Sequence, residues 1–162
     1  MAKLARIIAG TLALSLMAAG PGLAQRPKLE PPAGTPMATA HLNPNGATAA
    51  QLRAAAPFLT PALAQEIVAK RPYRTSLDFA KVVAGKVPQA QLPALYAAVF
   101  VPISLNNASR EEIMLIPGMM RRMAHEFEEY RPYRDLAQFD REIGKYAHPT
   151  EVARLRSYVA LP

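Results

Sequence analysis

The chain has 162 residues, of which 51% are hydrophobic, and a formal net charge of +7. This length allows one or two ordinary domains, and the hydrophobic content excludes a chain that is disordered throughout. Because the sequence contains no cysteine, a disulfide framework, a thiolate metal site and a cysteine nucleophile are all excluded.

The first 24 residues have the pattern of a secretory signal peptide. Lys3 and Arg6 make a short positive start, residues 7–19 form an apolar run, and small residues at 22–24 follow a Gly-Pro break. Since an apolar run must reach about 20 residues to cross a bilayer, a cleaved signal is favoured over an uncleaved anchor. We therefore expect an exported mature chain with no membrane span, which is periplasmic if the source has two membranes.

The next segment, residues 25–41, has the composition of a linker. It contains four prolines and Gly34. Proline fixes φ and removes a backbone donor, so the segment is predicted to be extended and solvated. We expect it to hold the folded part of the chain away from its N-terminus.

The remainder is predicted to be one unit written twice, in residues 42–102 and 103–162. The tetrapeptide Arg-Pro-Tyr-Arg occurs at 71–74 and again, 60 residues later, at 131–134. Other pairs at this offset are Pro57 and Pro117, Ala64 and Ala124, Phe79 and Phe139, Leu95 and Leu155, and Val99 and Val159. A duplicated unit of this length is more typical of a small helical domain than of a solenoid turn.

Helix-start signals agree between the two copies. Residues 48–51 (Thr-Ala-Ala-Gln) and 109–112 (Ser-Arg-Glu-Glu) both match the capping box that begins a helix. A second helix is predicted to begin at Thr60-Pro61, with threonine as the cap and proline in the first turn. Its counterpart is expected to begin near Met120.

Helix-stop signals divide the rest of each copy in the same way. The third helix is predicted to end at Gly85 or Gly144, and the fourth carries Leu95 or Leu155. No segment shows sustained alternation of apolar and polar residues, which is the signature of a strand. The fold is therefore predicted to be all-α, with about four short helices in each unit.

A series of short motifs runs through the second copy in a fixed order. Leu105-Asn106, Ile116-Pro117-Gly118-Met119, Ala124 and Arg131-Pro132-Tyr133 follow one another along the chain. In this order the sequence resembles ComEA-like exported helix-hairpin-helix proteins, and the first copy matches more loosely. The resemblance implies compact paired hairpins and, as in competence DNA receptors, sequence-independent binding of double-stranded DNA.

The chemistry implied by this resemblance rests on a Gly-hydrophobic-Gly hairpin at the start of a helix. Such a turn exposes backbone N–H groups that receive a phosphate oxygen, and lysine or arginine adds attraction to the DNA backbone. Hairpin 117–122 keeps the first glycine, but Met120 replaces the second. The expected phosphate-binding residues are Gly118, Met119, Met120, Arg121 and Arg122, together with Lys70, Arg71, Arg74, Lys86 and Lys145.

The second glycine of the Gly-hydrophobic-Gly pattern is missing from every hairpin, and its absence leads to a second hypothesis. Residues 42–102 carry six basic and two acidic residues, whereas residues 103–162 carry nine of each, so the copy with the better hairpin is neutral. The alternative is a periplasmic interaction or scaffold protein that keeps the fold but has lost the phosphate site. Its partner surface would use the methionines at 114, 119, 120 and 123. The other interpretation is that Met119 and Met123 are core residues at helical spacing.

Neither catalysis nor metal binding is predicted. His125 and Glu129 share a helix face and could hold a metal weakly, but a solvated i,i+4 pair is the better interpretation. No serine elbow or nucleotide-cradling loop is present, so we expect no enzyme, no cofactor and no small-molecule substrate. Tyr73 and Tyr133 are expected to pack between helices rather than stack on bases, and the Arg-Pro-Tyr-Arg repeat is expected to be a structural turn.

Overall fold

The computed structural model describes residues 27–161, so the predicted signal peptide, residues 1–24, lies outside the described residues. This part of the chain is mostly helical, which confirms the predicted all-α class. The helices are α1 (Ala49–Ala55), α2 (Pro61–Ala69), α3 (Ser76–Val83), α4 (Leu92–Ala98), α5 (Arg110–Ile113), α6 (Arg121–Glu129), α7 (Leu136–Ile143) and α8 (Pro149–Arg156), with a 3-10 turn at Gln89–Gln91. Within residues 27–161, no helix has the length and apolar character that a bilayer crossing requires.

The predicted helix starts are confirmed by their caps. The hydroxyls of Thr48 and Ser109 accept from the amides three residues later at 3.2 Å, and both capping boxes are complete. Thr60 caps α2 with proline in its first turn, and α6 begins after Met120 as expected. These caps satisfy amides that the helix itself leaves open, which is why they can be recognised from local sequence.

Two-residue strands add backbone pairing that the sequence pattern did not predict. Strand β1 (Ile103–Ser104) pairs in parallel with β2 (Val159–Ala160), and Leu42 forms an isolated parallel bridge with Val99. Strands of this length are too short to show alternation. The pairing joins the beginning of each half of the chain to its end.

The Arg-Pro-Tyr-Arg repeat forms a structural turn in both halves, as predicted. Asn106 donates to the carbonyl of Tyr133 at 2.9 Å and accepts from its amide at 2.7 Å, and Asn45 does the same for Tyr73 at 2.9 and 2.8 Å. Both tyrosines are buried, with 4% and 2% exposure. Arg131 completes its turn by donating to two carbonyls of the loop before α5.

The buried residues form one hydrophobic cluster that extends across both halves. Phe100 of the first half meets Tyr158 of the second edge to face, with ring centres 4.9 Å apart. His41 stacks on Tyr158 at 3.9 Å, and its ring nitrogens lie 2.8 Å from the carbonyl oxygen of Ala97 and 2.7 Å from Oγ of Ser157. The imidazole therefore links α4 to the end of α8.

Residues 27–41, which we call the strap, do not form the solvated spacer predicted from their composition. The strap contains a turn at residues 33–34, and its beginning packs on the second half of the chain. The amide of Leu29 donates to the carbonyl of Tyr146 at 2.5 Å, Lys28 donates to the carbonyl of Gly144, and Glu30 pairs with His148 at 3.3 Å. Proline-rich composition carries no information about these distant partners.

Candidate nucleic-acid interface

The turn between α5 and α6 has the backbone conformation expected of a phosphate-binding hairpin. Gly118 has φ of +73°, a region that residues with a side chain rarely adopt. The amide of Met119 closes the turn by donating to the carbonyl of Ile116 at 3.0 Å. Met119 itself is buried, with 9% exposure. Its side chain therefore packs in the hydrophobic core and is not available to contact a ligand.

A buried ion pair on α8 fixes the orientation of this turn. Arg154 is fully buried and donates hydrogen bonds to both carboxylate oxygens of Glu151, at 2.6 and 2.7 Å. Its remaining terminal nitrogen donates to the carbonyl of Pro117 at 2.9 Å. Because the carbonyl and amide of a trans peptide point in opposite directions, the amide of Gly118 faces away from Arg154.

The first turn of α6 combines open amides with positive charge. Met120 is half-buried and supplies no side-chain cap, and no acidic residue lies in the first turn. Arg121 and Arg122 occupy the first two helical positions, where backbone amides have no partner within the helix. Both arginines are exposed, and no carboxylate among residues 27–161 pairs with either of them. The helix dipole disfavours cations at this end. A bound anion would therefore reduce the electrostatic repulsion between the two arginines and the start of the helix.

Two of the predicted basic residues instead lie together on the first half of the chain. Lys86 and Lys70 both pair with Glu66, at 2.5 and 3.0 Å. Hydrogen bonds from Lys86 first and Lys70 second lower the pKa of the Glu66 carboxyl. One carboxylate shared by two ammonium groups leaves a net positive cluster. Arg74 is exposed on the loop after α2.

The structure places the remaining predicted residues in structural contacts. Arg71 donates to the carbonyl of Ala47. This hydrogen bond connects the Arg-Pro-Tyr-Arg turn at 71–74 to the loop before α1. Lys145 pairs with Glu142, and its ammonium lies 4.9 Å from the ring centre of Tyr130. The hydrogen bond between Lys145 and Glu142 lowers the pKa of Glu142 and raises that of Lys145. Arg71 is engaged by a backbone carbonyl. Lys145 shares the Glu142 carboxylate with Arg141, as Lys70 and Lys86 share that of Glu66.

The strap approaches the hairpin closely at Gly118. A Cβ atom built on Gly118 would lie 2.4 Å from both Cγ2 and Oγ1 of Thr35. Gly85 provides the contrast, since it also has positive φ, at +71°, yet a Cβ there would meet nothing within 4 Å. Thus Gly118 is required both by its backbone conformation and by the close approach of Thr35.

His125 and Glu129 form the i,i+4 pair that the sequence indicated. Nε2 of His125 lies 3.5 Å from the carboxylate of Glu129, and both side chains are more than half exposed. Within the part of the chain that the structure describes, no three His, Asp or Glu side chains come together in a group that could hold a metal ion. The contact between His125 and Glu129 is solvent-exposed on the surface of α6.

Sequence reasoning missed three residues that shape this site. Glu151 and Arg154 have the i,i+3 spacing of an ordinary surface pair, and only the packing of α8 shows that they are buried. The neighbouring apolar residues Val152 and Leu155 were the available signal, because they place this helix against the core. Thr35 had no local signal, since its contact with Gly118 spans about half of the chain.

Comparison of the chain with protein-family models, with curated proteins and with solved structures found no match in any of the three. The function is therefore argued from the geometry of the hairpin and its surroundings.

Proposed function

We propose that this protein binds double-stranded DNA without sequence preference, through phosphate contacts at hairpin 117–122. The observation that carries the proposal is the first turn of α6, where open amides and two unpaired arginines surround one end of a helix without a cap. Backbone amides and arginine are the groups that bind phosphate oxygens most often in DNA complexes. The proposal includes export of the mature chain, on the pattern of residues 1–24, and assigns no catalytic step.

The charge distribution supports a second, weaker contact region on the first half. Lys70 and Lys86 form a cluster around one carboxylate, Glu66, and Arg74 is a further exposed cation on the loop after α2. Contacts of this kind depend on charge rather than on base identity. We propose that this cluster adds affinity to the hairpin contact, in a helix-hairpin-helix arrangement of the two halves.

The test is a salt titration of DNA binding by the purified protein. Binding of several phosphates predicts that log K falls linearly with log salt, with a slope of magnitude about 3–6. The variant Arg121→Ala/Arg122→Ala should weaken binding and reduce the slope by about 2, one for each lost phosphate contact. The control is Arg53→Ala/Arg134→Ala, which removes two other exposed arginines without a carboxylate partner among the described residues and should leave the slope nearly unchanged.

One observation favours the alternative of a protein-interaction module. Phe58 and Met114 are large apolar side chains with 36% and 39% exposure. Met114 borders a groove of about 290 Å³ that is also lined by Leu92, Tyr96 and Met119. If the protein does not bind DNA at about 50 mM salt, where phosphate contacts are strongest, this surface becomes the leading candidate for function.

A further inference from the structure

We infer that the strap, residues 27–41, is an autoinhibitory cover that must leave Gly118 before a DNA phosphate can reach the hairpin. This inference rests on the proposed function and concerns the regulation of the same site. It starts from the position of Thr35, whose two terminal side-chain atoms lie 2.4 Å from where a Cβ of Gly118 would be. A phosphate oxygen approaching the Gly118 backbone from this side would meet Thr35 first.

The attachment of the strap is uneven along its length. Its beginning is fixed to the second half through Lys28, Leu29 and Glu30, and its end is fixed through His41. Between them, the described structure contains no hydrogen bond from residues 31–40 to any residue outside the strap. Thr35 bonds only to Pro32, with its amide at 3.1 Å and its hydroxyl at 2.7 Å.

This arrangement suits a cover that lifts without unfolding the protein. The middle of the strap is held over Gly118 by packing alone, so displacing it breaks no hydrogen bond to the core. The internal bonds of Thr35 would keep the turn at 32–35 intact as it moves. Apparent DNA affinity is then reduced in proportion to the fraction of molecules with the strap open.

The first test compares two threonine substitutions in the strap. Thr35→Ala removes the two atoms that fill the space over Gly118, whereas Thr39→Ala makes the same change at an exposed position away from the hairpin. We expect Thr35→Ala to raise DNA affinity by about threefold or more, because a larger fraction of molecules is open. Thr39→Ala should bind as the unmodified protein does.

The second test observes the strap directly. Because the chain contains no cysteine, Met37→Cys gives a unique attachment point for a spin label, and Met37 is exposed. Adding double-stranded DNA should increase the mobility of the label, and raising salt until DNA dissociates should restore the original spectrum.

The outcomes separate the inference from the proposed function. If the unmodified protein binds DNA but Thr35→Ala and Thr39→Ala bind equally, and the label is unaffected by DNA, the strap is not a cover and the inference is overturned while the function stands. If neither the unmodified protein nor Thr35→Ala binds DNA at low salt, the proposed function is wrong and the inference falls with it. Binding by Thr35→Ala alone would support both.

Discussion

The buried pair of Glu151 and Arg154 allows a quantitative prediction about stability. Arg154→Met removes a guanidinium that is fully buried and leaves the Glu151 carboxylate, with 7% exposure, without its partner. Breaking one side of a buried ion pair costs about 3–5 kcal/mol, because the remaining charge is desolvated without compensation. The carbonyl of Pro117 also loses its donor, so we expect a loss of about 4 kcal/mol in the free energy of unfolding.

The double variant Glu151→Leu/Arg154→Met distinguishes an orphaned charge from a simple loss of packing. With both charges removed, only the carbonyl of Pro117 remains unsatisfied, at a cost of about 1–3 kcal/mol. The double variant should therefore be more stable than Arg154→Met alone. Arg156→Met is the control on the same helix, because Arg156 is about half exposed and pairs with Asp140 at the surface, a contact worth about 0–1 kcal/mol.

The assay is urea unfolding followed by the helical circular dichroism signal, with linear extrapolation to water. Equal losses for Arg154→Met and Arg156→Met would refute the argument that burial decides the energy. A double variant no more stable than Arg154→Met would refute the orphaned charge as the cause.

Three further predictions concern other contacts. Burial lowers the pKa of His41 below 6.5 against the opposing hydrogen bond to the carbonyl of Ala97, and the charge of Arg154 adds a smaller lowering. The unfolded chain therefore binds the proton more readily, so the free energy of unfolding is full above about pH 6.5 and falls on acidification. His41→Phe should flatten the dependence of the melting temperature on pH between about 7.5 and 5, and an unchanged profile would exclude His41 as its source. Asn106→Ala should cost about 2–4 kcal/mol in urea unfolding, since two backbone groups of Tyr133 lose their partner; a loss below about 1 kcal/mol would contradict this. Gly85→Ala should cost about 1–2 kcal/mol from positive φ alone, whereas Gly118→Ala should cost more because its methyl group meets Thr35; equal costs would show that the strap does not rest on the hairpin in solution.

The sequence predicted those features of the fold that depend on hydrogen bonds between residues close together along the chain. The caps at Thr48, Thr60 and Ser109 satisfy amides within the same turn, so their partners lie within three residues. The two-residue strands, by contrast, join Ile103 to Val159. A pattern that depends on alternation cannot reveal pairs of this length.

The candidate site also combines features that local sequence predicts with features that it cannot predict. Arg121 and Arg122 could be placed at a helix start because the preceding Pro-Gly and the spacing after it are local signals. The burial of Arg154 could not be predicted, since an arginine is rarely buried without a partner and that partner arrangement depends on how α8 packs. The cover formed by Thr35 depends on the strap returning to a hairpin far along the chain.

The bridge between Leu29 and Ala147 has a mechanical consequence. A force applied between residues 27 and 161 would not stretch the chain evenly, because the bridge and the contacts of Lys28 and Glu30 connect the start of the described chain directly to the loop before α8. Residues 30–146 then form a loop that carries little tension while these contacts hold. Rupture under load would begin at this short parallel contact, and the first half would extend only after it has failed.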